Sequence, residues 1–449
     1  MFFGVVFVAV PSVKGGPAEL HVGLGQPYAT IQSAVDAAES GDTIVVHPGI
    51  YVETVDVTKS NITIGSLLGN PSDTIVDAGG ADDHVFDITN QTGVTLTGFT
   101  VRNAKGATKD VAGISIYRST NCKISNNVVT NMSAVGYNRA LGIGFYNSSR
   151  CNISNNIVKY SNYGIYVDSY SGRNTFSNNY ISNTSIGIYL AGYLELYIPG
   201  AGGNNFSNTY ISNVSARGIH LGSPQNKFSN THISNINSSF DEIYGIYLGG
   251  SSNEFFDTYI SNVIAINGSA YGIRLGRYSG YNTFSSTQVF NIKAKDTAYG
   301  IYLYWFCITN NFTNTNIFNV TSASADAYGI YLAAEANWNN FLNTYIFNVN
   351  AGRDAYGVYK AQAIENNFYN TYILDIRADR YAYDIYPWDP RGLFSNTYAF
   401  NINGTIQRLI PWIGLGLLST IVIAAVIAIR RRRRKLPPKI QKGNTSPVA

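Results

Sequence analysis

The chain has 449 residues, 45% of them hydrophobic and 13% charged, with 43 Gly, 34 Tyr and only 3 Cys. This apolar content excludes a disordered polymer, and so few cysteines exclude a disulfide-built scaffold. The formal charge of +4 is misleading, because Arg430 to Lys435 alone supply six cations. The rest is close to neutral, which excludes a basic nucleic-acid footprint and predicts no nucleic-acid partner.

In chain order, Met1 to Val10 is apolar, and residues 1–20 are expected to be a secretory leader although no basic residue opens them. Tyr28 to Ala38 is the one clear soluble helix: Ile31, Ala34, Val35 and Ala38 share a face, Thr30 can cap the start, and Gly41-Asp42 stops it. Short β words follow at Ile62 to Ile64, Thr74 to Asp77, Val85 to Ile88 and Val94 to Val101.

From Asn174 to Tyr398 one phrase recurs. Phe176, Phe206, Phe228, Phe255, Phe284, Phe312, Phe341, Phe368 and Phe394 mark it with a period of about 27 residues. Gly187, Gly218, Gly245, Gly272, Gly300, Gly329 and Gly357 keep the same beat. Each repeat holds three short apolar words, such as N-F-S at Phe206, T-Y-I at Ile211 and G-I-H-L at Leu221. They are too short for helices and rich in β-branched and aromatic residues, so they read as strands. Phe206 and Ile211 differ in parity. A corner at Asn208, a residue type that tolerates left-handed backbone, lets both face one core.

Three strands and three corners per turn describe a parallel β-helix. The predicted fold is all-β: a solenoid of about a dozen coils over residues 25–405, stacked about 4.8 Å apart, with the helix closing its N-terminal end. A propeller repeat would be longer and carry four strands. Inserts recur at two fixed points, as at Ser238 to Ile243 before the Y-G-I-Y word and Tyr304 to Thr309 after it, and so project from fixed sides, often the binding side.

Leu409 to Ile429 is uncharged and long enough to span a bilayer, with Trp412 near one interface. The cations that follow predict a cytoplasmic tail, 430–449, and an outward-facing β-helix. The expected location is therefore the cell surface, anchored by one C-terminal transmembrane helix.

In the G-I-Y-L word, Tyr247, Tyr302 and Tyr331 follow the inward Ile and should point outward. Tyr210, Tyr259, Tyr345 and Tyr372 do the same in T-Y-I. Stacking would line them into ladders that stabilise the fold, or present an aromatic face to sugar rings, or both. Sequons at Asn131, Asn147, Asn183, Asn237, Asn267 and Asn319 are glycosylation candidates, although a chain built on S-N-N and N-T-Y corners makes sequons by composition alone, as at Asn213. Cys122 and Cys151 stand one coil apart and are a disulfide candidate, whereas Cys307 lies in a different word.

Tyr28 to Gln32, Ala34 to Ala38, Gly41 to Ile44 and Pro48 to Tyr51 with Glu53 resemble the opening of right-handed parallel β-helix proteins of the pectin-lyase-like superfamily. The I-S-N-N and G-I-Y-L words resemble repeats of the NosD-type periplasmic family and of archaeal surface proteins. The resemblance implies a right-handed coil. It also opens an enzymatic alternative, a polysaccharide lyase or glycoside hydrolase, for which Asp77, Asp82, Asp83 and Asp87 are the densest acidic group. These acids lack a full catalytic constellation, so no catalytic residue is assigned. The NosD likeness raises copper, but His21, His47, His84, His220 and His232 do not cluster in sequence, so no metal or cofactor is expected. The leading expectation is a membrane-anchored surface protein with a structural, adhesive or carbohydrate-binding role, its partners being polysaccharide or envelope proteins.

Overall fold

The computed structural model describes residues 16–192, 202–239, 241–386, 394–395 and 397–400. They form a right-handed parallel β-solenoid of about 13 turns. The segments 1–15 and 401–449, which include most of the expected leader and all of the expected membrane span, lie outside the described residues. Among the described residues no helix is long and apolar enough to cross a membrane.

One coil shows how the sequence makes a turn. Thr283–Ser285, Gln288–Ala294 and Ala298–Leu303 are its strands. Phe284, Val289, Ile292, Ile301 and Leu303 point inward and are fully buried. Ser286 and Asn291 take left-handed backbone, with φ of 56° at both, and these two corners swing the strands around one core. In most coils asparagine fills both positions, as at Asn208 and Asn213 or Asn343 and Asn348. The corner predicted at Asn208 is therefore present, and Phe206 and Ile211 are both buried.

Coils stack in register, so like residues form columns. Phe284 pairs with Phe255 below and Phe312 above, and the rings stack 4.8 Å apart and nearly parallel on both sides. A second column is polar and buried. Asn310 donates from its backbone N–H and from Nδ2 to Oδ1 of Asn339, both at 2.9 Å, and from Nδ2 to the Ser279 carbonyl at 3.0 Å. The pattern repeats from Asn174 to Asn366 and satisfies the buried turn that leads into each N-F strand. At the next corner Asn127, Asn156 and Asn179 form a similar ladder. There threonine takes over from Thr209 onward, and the hydroxyls of Thr231, Thr258 and Thr287 have no partner.

The recurrent glycine is a close-approach residue. A Cβ on Gly300 would sit 2.5 Å from the Gly329 carbonyl oxygen and 2.5 Å from Ile317 Cγ2. In the last described strand of this type, Tyr381–Tyr386, Asp384 stands where this column has glycine, and burial pushes its carboxyl up to about 6.

The helix Ile31–Ala37 covers the N-terminal end, as its apolar face predicts. Thr30 Oγ1 accepts from the Ser33 N–H, and the Glu53 carboxylate accepts from the N–H groups of Ile31 and Gln32 at 2.9 and 3.0 Å. Ile31, Ala34 and Val35 are buried against the strands Glu19–Val22, Thr43–Val46 and Val55–Val57.

Candidate functional site

The G-I-Y-L strands carry the densest grouping of functional side chains. Their register pairs skip the glycine: Tyr299 pairs with Tyr328 and Ile301 with Ile330. The irregularity resets the alternation, so the tyrosines on both sides of Gly-Ile face outward. Two parallel columns result.

The inner column runs Tyr244, Tyr271, Tyr299, Tyr328, Tyr356, Tyr383, with Tyr271 and Tyr299 stacked at 4.7 Å and 3°. The outer column runs Tyr166, Tyr189, His220, Tyr247, Arg274, Tyr302, Tyr331, Tyr359, Tyr386. Cross-column contacts are edge-on or tilted, as for Tyr328 and Tyr331 at 4.9 Å and 87° and Tyr299 and Tyr302 at 5.0 Å and 53°. Of the inner rings Tyr244, Tyr271, Tyr328 and Tyr356 are buried, Tyr271 being 6% exposed, and Tyr299 and Tyr383 are half-buried, as are Tyr302, Tyr331 and Tyr359 of the outer column.

Alternation alone puts Tyr271 on the same side as Ile273, so the inner column was missed in the sequence. The beat of the glycine was the available signal. The T-Y-I tyrosines lie on a different strand and face. Tyr210, His232 and Tyr259 form one run and Tyr345, Tyr372 and Tyr398 another, separated by Gln288 and Asn316. The seven predicted tyrosines thus divide between two surfaces.

Charges punctuate the Tyr face in pairs. Arg274 enters the outer column, lies 5.1 Å from the Tyr271 ring centre, and donates to Glu242 at 3.0 Å and to the Tyr244 hydroxyl at 2.8 Å. Burial opposes ionisation of Glu242, but hydrogen bonds from Tyr244 and Tyr271 and the Arg274 charge hold its carboxyl below the usual range. Arg353 grips Asp326 with two bonds of 2.7 and 2.6 Å, and Arg380 grips Asp354 one coil on. Burial, the largest cause, raises the Tyr271, Tyr299 and Tyr302 phenols, which stay neutral and able both to donate and to accept. His220, boxed between Tyr189 and Tyr247, is held down to about 3 by burial and by Arg217.

The acidic group near the N-terminus is mostly spoken for. Asp77 binds Arg102 at 2.7 Å and Asn103, Asp82 accepts from Ala107 and Thr108, and Asp83 pairs with Lys109 at 2.7 Å. Asp87 pairs in register with Asp56, whose carboxyl is pushed up by burial, Asp87 and Asp83. Among the described residues no group of His, Cys, Asp or Glu is arranged to hold a metal ion.

Asn131, Asn147, Asn183, Asn237 and Asn267 are exposed. Asn319 is half-buried in an outer amide ladder, donating to Asn291 and accepting from Asn348; Asn213 accepts from Asn235 in the same ladder. Cys122 and Cys151 are buried free thiols on adjacent coils, donating to the carbonyls of Thr120 and Ser149. Cys307 is buried elsewhere and donates to the Gly276 carbonyl at 2.9 Å.

Residues 84–262 match the family model for a right-handed β-helix region. No curated protein matches the chain. Among solved structures, the catalytic domain of a GH87 α-1,3-glucanase in complex with nigerose superposes with a TM-score of 0.50 at 16% identity, covering 87% of this chain and 70% of that one. The A-module of a mannuronan C-5 epimerase from Azotobacter vinelandii aligns over 82% of this chain and 94% of its own, at 14% identity and a TM-score of 0.42. Identities this low speak to the fold alone.

Proposed function

We propose that this right-handed parallel β-helix protein, pectin-lyase-like in fold, is a surface-anchored carbohydrate-binding protein whose outer Tyr column forms the contact face. The carrying observation is the division of labour between the two columns. Most inner rings, Tyr244, Tyr271, Tyr328 and Tyr356, are covered and serve the fold, while the outer rings from Tyr302 to Tyr386 stay partly in water. Amphipathic rings stacked in a row, with apolar edges and neutral hydroxyls turned outward, suit the alternating apolar and hydroxyl surface of a sugar chain. The carboxylates among them, Glu242, Asp326 and Asp354, are each engaged by an arginine, which favours binding over acid–base chemistry.

Glycan-array screening of the purified chain, beside an assay for released unsaturated or reducing sugars, tests this reading. Binding without release is expected. Tyr302→Ala with Tyr331→Ala should weaken it at least tenfold, about 1.4 kcal/mol. Sugar release abolished by Asp87→Asn would move the reading to an enzyme acting at the Asp56 and Asp87 pair.

Anchoring rests on the uncharged stretch 409–429 followed by Arg430 to Lys435. Protease added to intact cells should remove the β-helix and spare a tail epitope; a protected β-helix would sink the outward orientation.

A further inference from the structure

A second aromatic grouping lies off the Tyr face, on the turns that join each G-I-Y-L strand to the next N-F strand. Tyr278 and Tyr281 come from one turn, Phe306 from the next and Trp338 from the third. They line a depression of about 310 Å³ together with Ser251, Gly280, Ile308, Glu335 and Asn337. Tyr278 and Phe306 stack at 5.3 Å, and the Arg277 guanidinium lies 4.8 Å from the Tyr278 ring centre. Tyr281 and Trp338 sit on the other side, two coils or about 10 Å apart, with the smaller Thr309 between them. The Trp338 indole N–H donates to Glu365 in the following coil, which fixes the ring.

The fold does not ask for these rings. Tyr278, Tyr281, Phe306 and Trp338 have φ of 65°, 58°, 60° and 56°, left-handed backbone that bulky side chains adopt at a cost. At the Tyr281 position other coils use Gly203, Gln225, Ser252, Thr309 and Glu365. Tyr281 and Trp338 are nonetheless 62% and 50% exposed. Strained, exposed and aromatic is a combination that neither packing nor local propensity rewards. A Cβ on Gly280 would come within 2.9 Å of the Ile308 carbonyl oxygen, so close stacking of the two turns keeps this lining position without a side chain.

From this we infer that the Tyr278–Phe306 and Tyr281–Trp338 walls form a second, separate binding site, for the pyranose rings of a neutral oligosaccharide. The volume is at the lower end of small-ligand sites, whose walls are typically apolar with a few polar groups. Arg277 and Glu335 offer one donor and one acceptor of opposite charge for hydroxyls. Glu335 and Glu365 disfavour a polyanion, which selects neutral sugars over uronates.

The site does not depend on the Tyr face, and its test separates the two. The full-length chain is titrated with cello-, laminari- and maltohexaose, with hexagalacturonate, and with a proline-rich decapeptide. At least one neutral hexaose should bind more tightly than hexagalacturonate. Trp338→Asn with Tyr281→Asn should lower that affinity at least tenfold while the Tm stays unchanged or rises, because asparagine suits left-handed backbone. Tyr302→Ala with Tyr331→Ala should leave this binding in place. The inference is overturned if no neutral hexaose binds, if the peptide alone binds, if the asparagine variant binds as before, or if its Tm falls and the rings thereby prove to serve the fold.

Discussion

Asn310→Ala is expected to destabilise the solenoid by on the order of 3–6 kcal/mol, from a side chain that touches no ligand. The substitution removes the acceptor for the Asn282 backbone N–H and Nδ2, which lie 3.0 and 3.1 Å from Oδ1. It also removes the donor to the Ser279 carbonyl and to Asn339. Every group left behind is buried, and an orphaned buried polar group costs about 1–3 kcal/mol. Denaturant unfolding measures the loss, and hydrogen exchange should place it in the coils of Asn282 and Asn339. A change below about 1 kcal/mol would mean that the ladder contributes direction but little stability.

Phe255→Ala should cost about 3–5 kcal/mol. Its ring lies 4.9 Å from Phe228 and 4.8 Å from Phe284, within 6° of parallel to each. Truncation therefore opens a cavity and ends two stacks at once. Tyr259→Ala, on the outer face of the same coil, is the control and should cost much less. An unmoved thermal transition for Phe255→Ala would show the assigned register to be wrong.

The fold was legible because the phrase repeats. Phe255, Ile260, Ile273 and Leu275 hold the inward positions of that phrase and are fully buried, while Tyr259 and Arg274 lie on the outer surface. Asn208 could be recognised as a corner because asparagine has a backbone reason to be there. Gly300 was harder. Its φ is not positive; what excludes a side chain is the neighbouring coil, and contact with another coil is invisible in one repeat. Without that contact the alternation appeared unbroken, and the inner tyrosines were assigned to no face. The buried Asn174 to Asn366 ladder hid for a related reason: in N-N-F the two asparagines look equivalent, yet Asn310 is buried and Asn311 is not. The Trp338 turn could be placed as an insert that projects to one side. That its neighbours are Tyr281 and Tyr278 follows only from stacking turns that are 57 and 60 residues apart in sequence.

The glycine, phenylalanine, asparagine and tyrosine columns each gain one member per turn. Internal duplication of about 27 residues therefore extends all of them together and creates no new kind of junction. A lineage of such chains can change length before it changes chemistry. For a polymeric ligand each added turn also adds a contact already held at the right spacing, so avidity grows with the number of turns while the protein's own stability grows only by one more interface.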